Sequence, residues 1–460
     1  MGKTGASDQP QGESAPRPSP QRPPEGWGQS IRFLGPGLIV VGAVVGSGEL
    51  IATTLLGAQV GFLLLWLIIL SCLVKVVLQE QLAYYVITSG GTLLDAFEVL
   101  PGPRIRGVSW LTWAFLTYLS LSVLSLGGIV GMSAVTALLM TGRGNLTIWV
   151  ILIGLVTAAF FRRGSYSRIE RLFTILVGSF SACQIIAVFL TQRTEYTIGW
   201  NDLISGLGLD LPPEGAYLAL AVFGVTGVSG SELVYYTYWC LEKGYGRYIG
   251  PPDGSLEWED RARKWISVMR KDVLLTAFIY TTITVAFYLL GAAILHRTQA
   301  DLVQLEGIAT ARALSDIFTR SFGAWSYYLF MGGAFLVLFS TYVSSCASIP
   351  RIVVDFLERL EWISNQSRSQ HNRRLNRCSV LVAVVAVAIY LVSQAPVALI
   401  LFFGGVLSSL FLPLLGIVPI YLWRRKSPGQ LRAGRLMYSL LWVSTILIVA
   451  VLCASLYLQI

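Results

Sequence analysis

Charge is what this sequence has least of. Asp, Glu, Lys and Arg make up 13% of its 460 residues, against roughly 25% in an ordinary soluble domain. Histidine is nearly absent, with only His296 and His371. Cysteine is sparse as well. The six, at 72, 183, 240, 346, 378 and 453, show no paired metal spacing and read as small packing residues. These shortages exclude several classes. A solvated globular enzyme would carry more charge, and a histidine-based metal centre has no ligands to draw on. No phosphate-binding loop and no nucleophile–base pair is visible, so an enzyme is the poorest reading. No cleavable leader pattern is visible either.

Apolar residues fill the space that charge leaves, at 54% of the chain. They fall in runs of about 20 residues, long enough to cross a bilayer. Eleven such runs are expected, near 33–56, 60–88, 108–139, 146–161, 172–190, 216–241, 272–295, 323–349, 378–393, 397–422 and 433–458. Residues 1–30 are rich in Pro, Ser, Gly and Gln and read as a disordered tail. Residues 259–270 suggest an amphipathic helix at the membrane surface, and 300–318 a short outer helix. The Ser/Asn/Arg-rich stretch 361–377 reads as a mobile loop. Lys75 and Glu80 are five apart in the second run, a poor spacing for a direct pair. The aromatics Tyr235, Tyr236, Tyr238 and Trp239 suit a permeation path or, equally well, membrane-interface anchoring.

The balance of charge is basic, with 34 Lys and Arg against 25 Asp and Glu. With the N-terminus placed in the cytoplasm, twenty-four basic residues fall in inner loops and five in outer ones. That asymmetry satisfies the positive-inside rule and puts the C-terminus outside. It also makes nucleic acid an unnecessary partner. The expected setting is the bilayer of a bacterial inner membrane, with the protein a monomer or weak oligomer.

Two of the eleven runs are interrupted in the same way. The first contains Gly46-Ser47-Gly48-Glu49-Leu50, and the sixth contains Ser229-Gly230-Ser231-Glu232-Leu233. Glycine weakens a helix, and an intramembrane carboxylate is costly enough to mark function. Runs one to five and six to ten lay over each other, and an odd number per repeat inverts the second copy. The expected fold class is therefore an all-α polytopic membrane protein with an inverted five-plus-five repeat and broken helices one and six. Its segments are a tail (1–30), a first repeat (31–191), an outer linker (192–215), a second repeat (216–425) and an eleventh span (426–460). The candidate substrate site is Gly46, Ser47, Gly48 and Glu49 with Ser229, Gly230, Ser231 and Glu232. Glu49, Glu232, Ser47, Ser229 and Ser231 are its candidate metal ligands. Oxygen donors without thiolate or thioether suit a hard cation such as magnesium, calcium or manganese. A glutamate there is also suited to carry a proton or to pair with a distant arginine.

These residues bring a family into view. Over about residues 30–425 the chain resembles the NRAMP divalent-metal transporters, and more closely a divergent bacterial branch. Gly35-Pro36-Gly37 and Gly57-Ala58-Gln59-Val60-Gly61-Phe62 look like the family's first span and its exit. Ser167-Arg168-Ile169-Glu170 is similar, more loosely, to its entry to the fifth span. The resemblance implies an inverted five-plus-five fold and transport of a divalent cation. The family's first-helix motif Asp-Pro-Gly-Asn falls on Gly46, Ser47, Gly48 and Glu49. Its sixth-helix motif Met-Pro-His-Asn falls on Ser229, Gly230, Ser231 and Glu232. The aspartate and methionine ligands are thus replaced by Gly46 and Ser229, and both asparagines by glutamate. Ser125 and Gly128 stand where proton-coupled relatives carry acids in the third helix. The expectation is alternating-access transport of a magnesium- or manganese-like ion, with no cofactor beyond that cargo. Transport of an amino acid or other small organic or anionic substrate, and a non-transporting sensor, are the alternatives.

Overall fold

The computed structural model describes residues 21–24, 26–163, 166–298, 306–363, 367–425 and 434–459. Its long helices follow the apolar runs. We label them α1 (Pro36–Val44), α2 (Thr54–Val60), α3 (Leu65–Ser89), α4 (Trp110–Thr141), α5 (Leu146–Arg163), α6 (Tyr166–Thr191), α7 (Ala216–Val225), α8 (Gly230–Lys243), α9 (Leu256–Leu290), α10 (Ser326–Arg359), α11 (Arg368–Ser393), α12 (Leu407–Arg425) and α13 (Arg435–Tyr457). Among the described residues nine helical stretches are long and apolar enough to cross a membrane, and the bent pair formed by Pro36–Val44 and Gly48–Val60 makes a tenth. The described apolar part of α6, Val177–Thr191, is shorter than these. In lipid only structures that satisfy their own backbone span the bilayer, and these helices do so. The chain is an all-α polytopic membrane protein built as an inverted five-plus-five repeat, with α13 added.

Both expected interruptions are present. The first span stops at Val44, turns at Val45-Gly46 and resumes with a π-helical stretch, Gly48–Thr53, that runs into α2. The wider π turn displaces the usual hydrogen bonds. Two threonines five residues on take up the slack: Thr53 Oγ1 donates to the Gly48 carbonyl at 3.0 Å and Thr54 Oγ1 to that of Glu49 at 3.3 Å. The sixth span stops at Val225 and restarts at Gly230, with Gly227 in the left-handed region at φ +67°.

The tenth span carries a π-helical stretch of its own, Ile400–Val406, containing Gly404-Gly405. The lack of side chains there brings it backbone to backbone with α7. A Cβ on Gly224 would lie 2.0 Å from the Gly405 carbonyl, and one on Gly405 would lie 2.5 Å from that of Ala221. Ser408 and Ser409 then donate to the carbonyls of Gly224 (2.9 Å) and Leu220 (2.6 Å).

Several expectations change. The surface helix expected at 259–270 is the first part of α9, continuous with the seventh span. No Gly or Pro separates them, so hydropathy marked where the membrane ends rather than where the helix does. The stretch 361–377 is likewise helical from Arg368 onward, as the polar start of α11; residues 364–366 lie outside the described residues. The tail, of which 1–20 lie outside the described residues, includes a short helix at Gly26–Ser30. It docks on α9: Trp265 Nε1 donates to the Gln21 carbonyl, and Lys271 Nζ sits over the Trp27 ring. The outer helix falls at Ile308–Phe322, and residues 299–305 lie outside the described residues.

The close approach of α7 and the tenth span predicts that Gly224→Ala lowers the yield of monodisperse protein and its melting temperature. Overpacking against backbone costs about 1–3 kcal/mol or more. An unchanged thermal unfolding curve in detergent would contradict the packing described.

Candidate functional site

The two breaks meet in the protein interior and satisfy each other. Glu49 is fully buried. One carboxylate oxygen accepts from the Gly46 amide of its own break at 3.4 Å. The other accepts from the Gly227 amide of the opposite break at 3.2 Å and from Thr284 Oγ1 of α9 at 3.4 Å. Helix breaks leave such amides without partners, and a buried orphan costs as much as a lost hydrogen bond. Glu49 therefore ties the two breaks to each other.

Glu232 does a different job. With Ser229 it forms a capping box at the start of α8, accepting from the Ser229 amide at 2.7 Å while Ser229 Oγ accepts from the Glu232 amide at 3.4 Å. Its carboxylate also lines an interior cavity of about 60 Å³. The cavity lies where the breaks converge, and its polar lining is almost entirely hydroxyl. Ser47 comes from the first break and Ser229 and Ser231 from the second. Tyr118, Ser122 and Ser125 come from α4, Tyr235 from α8, and Thr341 and Ser345 from α10. No sulfur and no imidazole lines it. Among the described residues no group of three or more His, Cys, Asp and Glu side chains gathers in one place.

All eight candidate residues are thus at or beside the junction, but not all face the cavity. Ser47, Gly48, Ser229, Ser231 and Glu232 line it. Glu49 does not; it lies behind the break, within electrostatic reach of Glu232. Gly46 has a packing reason for its lack of a side chain. A Cβ there would lie 1.9 Å from Thr341 Oγ1, which donates to the Ala43 carbonyl at 2.9 Å. Ser125, read as a missing acid, is a cavity hydroxyl, and Gly128 packs against the Pro396 carbonyl. The Ser167–Glu170 side chains lie outside the described residues.

Sequence reasoning noted Lys75 but gave it no role. It is fully buried, and its ammonium donates to the Phe223 carbonyl at 2.5 Å and to that of Thr226 at 2.7 Å, with Gly224 at 3.4 Å. These are the carbonyls that α7 exposes where it stops. The available signal was the lone lysine in an apolar run with no acid at a pairing distance along the helix. Glu80 pairs instead with Arg270, at 2.5 Å.

The aromatic cluster faces inward. Tyr235 lines the cavity, Tyr236 donates to Asp272 at 3.0 Å, Tyr238 to Asp355, and Trp239 to Ser348 Oγ at 3.1 Å. All four are buried, which removes interface anchoring as their role. Tyr236, Tyr238 and Trp239 belong to a set of ties among α1, α8, α9 and α10. Asp272 accepts from the Gly35 and Gly37 amides at 3.1 and 2.7 Å, holding the start of α1. Arg351 pairs with Glu242 at 2.6 Å and lies over the Trp239 ring.

A repeat with two interrupted helices meeting at a buried polar cavity defines a membrane transporter rather than an enzyme. The chain belongs to the natural resistance-associated macrophage protein-like family, whose model matches residues 37–458. Among curated relatives it is 23% identical to the divalent metal cation transporter MntH of Xanthomonas campestris pv. campestris, over 92% of this chain and 89% of that protein. It is 26% identical to MntH of Brucella suis over a shorter stretch, 43% of this chain and 42% of that one. An uncharacterised protein of Pasteurella multocida is 23% identical over 91% of this chain and 90% of its own length. Among solved structures, the manganese transporter of Eremococcus coleocola superposes with a TM-score of 0.70 at 16% identity, covering 95% of this chain and 89% of that one. Mhp1, a nucleobase-cation-symport-1 transporter, gives 0.55 at 15% identity, covering 97% and 95%. At such identities the likeness concerns the fold.

The bridging role of Glu49 predicts that Glu49→Gln lowers stability. An amide offers one acceptor oxygen to two backbone donors on opposite breaks, and the unpaired donor costs about 1–3 kcal/mol. Thermal unfolding of the purified variant checks this, and wild-type behaviour would rule out the bridge.

Proposed function

We propose that this protein is a secondary transporter that moves a small divalent cation, magnesium- or manganese-like, across a bacterial inner membrane by alternating access. The observation that carries the reading is the cavity at the meeting of the breaks, whose donors are hydroxyls and one carboxylate. Hard oxygen donors without sulfur or imidazole suit hard cations. A single water needs roughly 10–15 Å³ of cavity space, so a cavity of about 60 Å³ has space for an ion that keeps some of its water. Family membership and the metal transporters among the relatives support the same cargo class.

Glu232, Ser47, Ser229 and Ser231 are the proposed ligands at the cavity. Glu49 lends its charge from behind the break and becomes a ligand on turning away from Gly227. Such a turn uncouples the two breaks, which links cargo binding to the movement of one repeat against the other. The N-terminus is proposed to lie in the cytoplasm and the C-terminus outside, from the distribution of Lys and Arg between loops.

An amino-acid or other anionic cargo fits less well. A carboxylate is gripped by free amides at a helix break. Here the amides of Gly227, Ser229, Gly230 and Ser231 are taken by Glu49, Glu232, Ser408 and Tyr118.

Uptake of manganese and magnesium into liposomes, beside a panel of amino acids, tests the proposal. The expected result is divalent-cation uptake and no amino-acid flux. Glu232→Gln should keep the fold, since glutamine also serves in a capping box. It should lower uptake by roughly 10–100-fold, at least the loss seen on disturbing a metal ligand's support. Wild-type uptake in that variant, or amino-acid flux without divalent flux, would sink the reading.

A further inference from the structure

The carbonyl end of α7 already holds a cation. Three backbone oxygens, of Phe223, Gly224 and Thr226, converge on Lys75 Nζ at 2.5, 3.4 and 2.7 Å. Ser71 Oγ, one turn earlier on α3, donates to the same Phe223 carbonyl at 3.0 Å. Among the described residues no carboxylate lies within ion-pair distance of this ammonium. Its charge is met instead by carbonyl dipoles and the negative end of a helix. It also lies within electrostatic range of Glu49 and Glu232. Converging carbonyl oxygens at a broken helix are the ligands by which transporters hold small inorganic cations.

We propose that the Lys75 ammonium is a resident cation. It fills a carbonyl cage that would otherwise take a free monovalent ion. The protein thereby carries a built-in counter-charge for Glu49 and Glu232 and needs no sodium-like ion to hold its second break together. Lys75 is on this account a positioning residue: it fixes the carbonyls of α7 and sets the net charge beside the cavity without touching the cargo. A cation-like role differs from that of a simple helix cap. A cap needs only a hydrogen-bond donor, whereas a cage vacated by an ammonium attracts a soluble cation. The inference rests on reading the junction of the breaks as a transport site.

The test is the melting temperature of the purified protein in detergent as sodium or ammonium replaces choline at constant ionic strength. The wild type should show a flat response. In Lys75→Met, which keeps the apolar stem and removes the charge, the melting temperature should climb by about 2 °C or more as the cage fills. A flat response in a folded Lys75→Met protein, or a climb in the wild type, overturns the proposal. Should Lys75→Met fail to accumulate, Lys75→Gln is titrated in the same way. There a climb supports the resident cation, and a flat response assigns Lys75 to helix capping. Should both fail to accumulate, the wild type decides, a flat response in support and a climb against. Divalent uptake is measured in parallel on the wild type. Uptake with a flat Lys75→Met response would reject the resident cation alone. A climbing Lys75→Met response without wild-type uptake would reject the cargo reading alone.

Discussion

A helix that stops inside a membrane must find partners for the amides and carbonyls it exposes, because lipid supplies none. That constraint organises the centre of this molecule. Glu49 collects amides from both breaks. Lys75 collects the carbonyls at the end of α7, and Ser340 and Thr341 of α10 collect those of Gly42 and Ala43 near the end of α1. A negative side chain serves the donors and a positive one the acceptors. The cavity lies beside these ties, and neither Glu49 nor Lys75 lines it.

The same arrangement leaves a particular set of side chains at the breaks. An aspartate at position 46 would run into Thr341, so the first break has no space for a side chain there. The carboxylate of the first break stands at position 49, where it satisfies backbone, and that of the second at 232, where it caps α8 beside the cavity. The junction therefore holds acids, and no sulfur or imidazole lines its cavity. In hard-ligand sites, selectivity follows from the number of charges and the freedom of the ligands. On the proposed reading, a hydroxyl-lined cavity with one carboxylate among its lining residues would be a loose site of that kind.

Much of the fold was legible in the chain. Apolar runs located the spans, and two Gly/Ser interruptions followed by Glu-Leu located the breaks. The near-copy in each half gave the inverted repeat. Less was legible where hydropathy and helicity part company. α9 and α11 continue well beyond the apolar runs they contain, since a polar stretch with no Gly or Pro extends a helix into water freely. The aromatics of α8 suited a permeation path or interface anchoring equally, because composition does not tell a lipid-facing ring from one buried between helices.

The sequence by itself determined that this is a membrane protein, where its apolar runs lie, where two of its helices fail, and which acids lie at the failures. Those properties follow from local hydropathy and backbone chemistry. Only the tertiary structure decided the direction in which each acid points and the purpose Lys75 serves. Glu49 and Glu232 stand at the same place in equivalent motifs, yet one spans two breaks and the other caps a helix beside a cavity. The partners of Glu49 (Gly227 and Thr284) and of Lys75 (the end of α7) are distant in the chain, and hydrogen bonds between distant segments leave no local pattern to read.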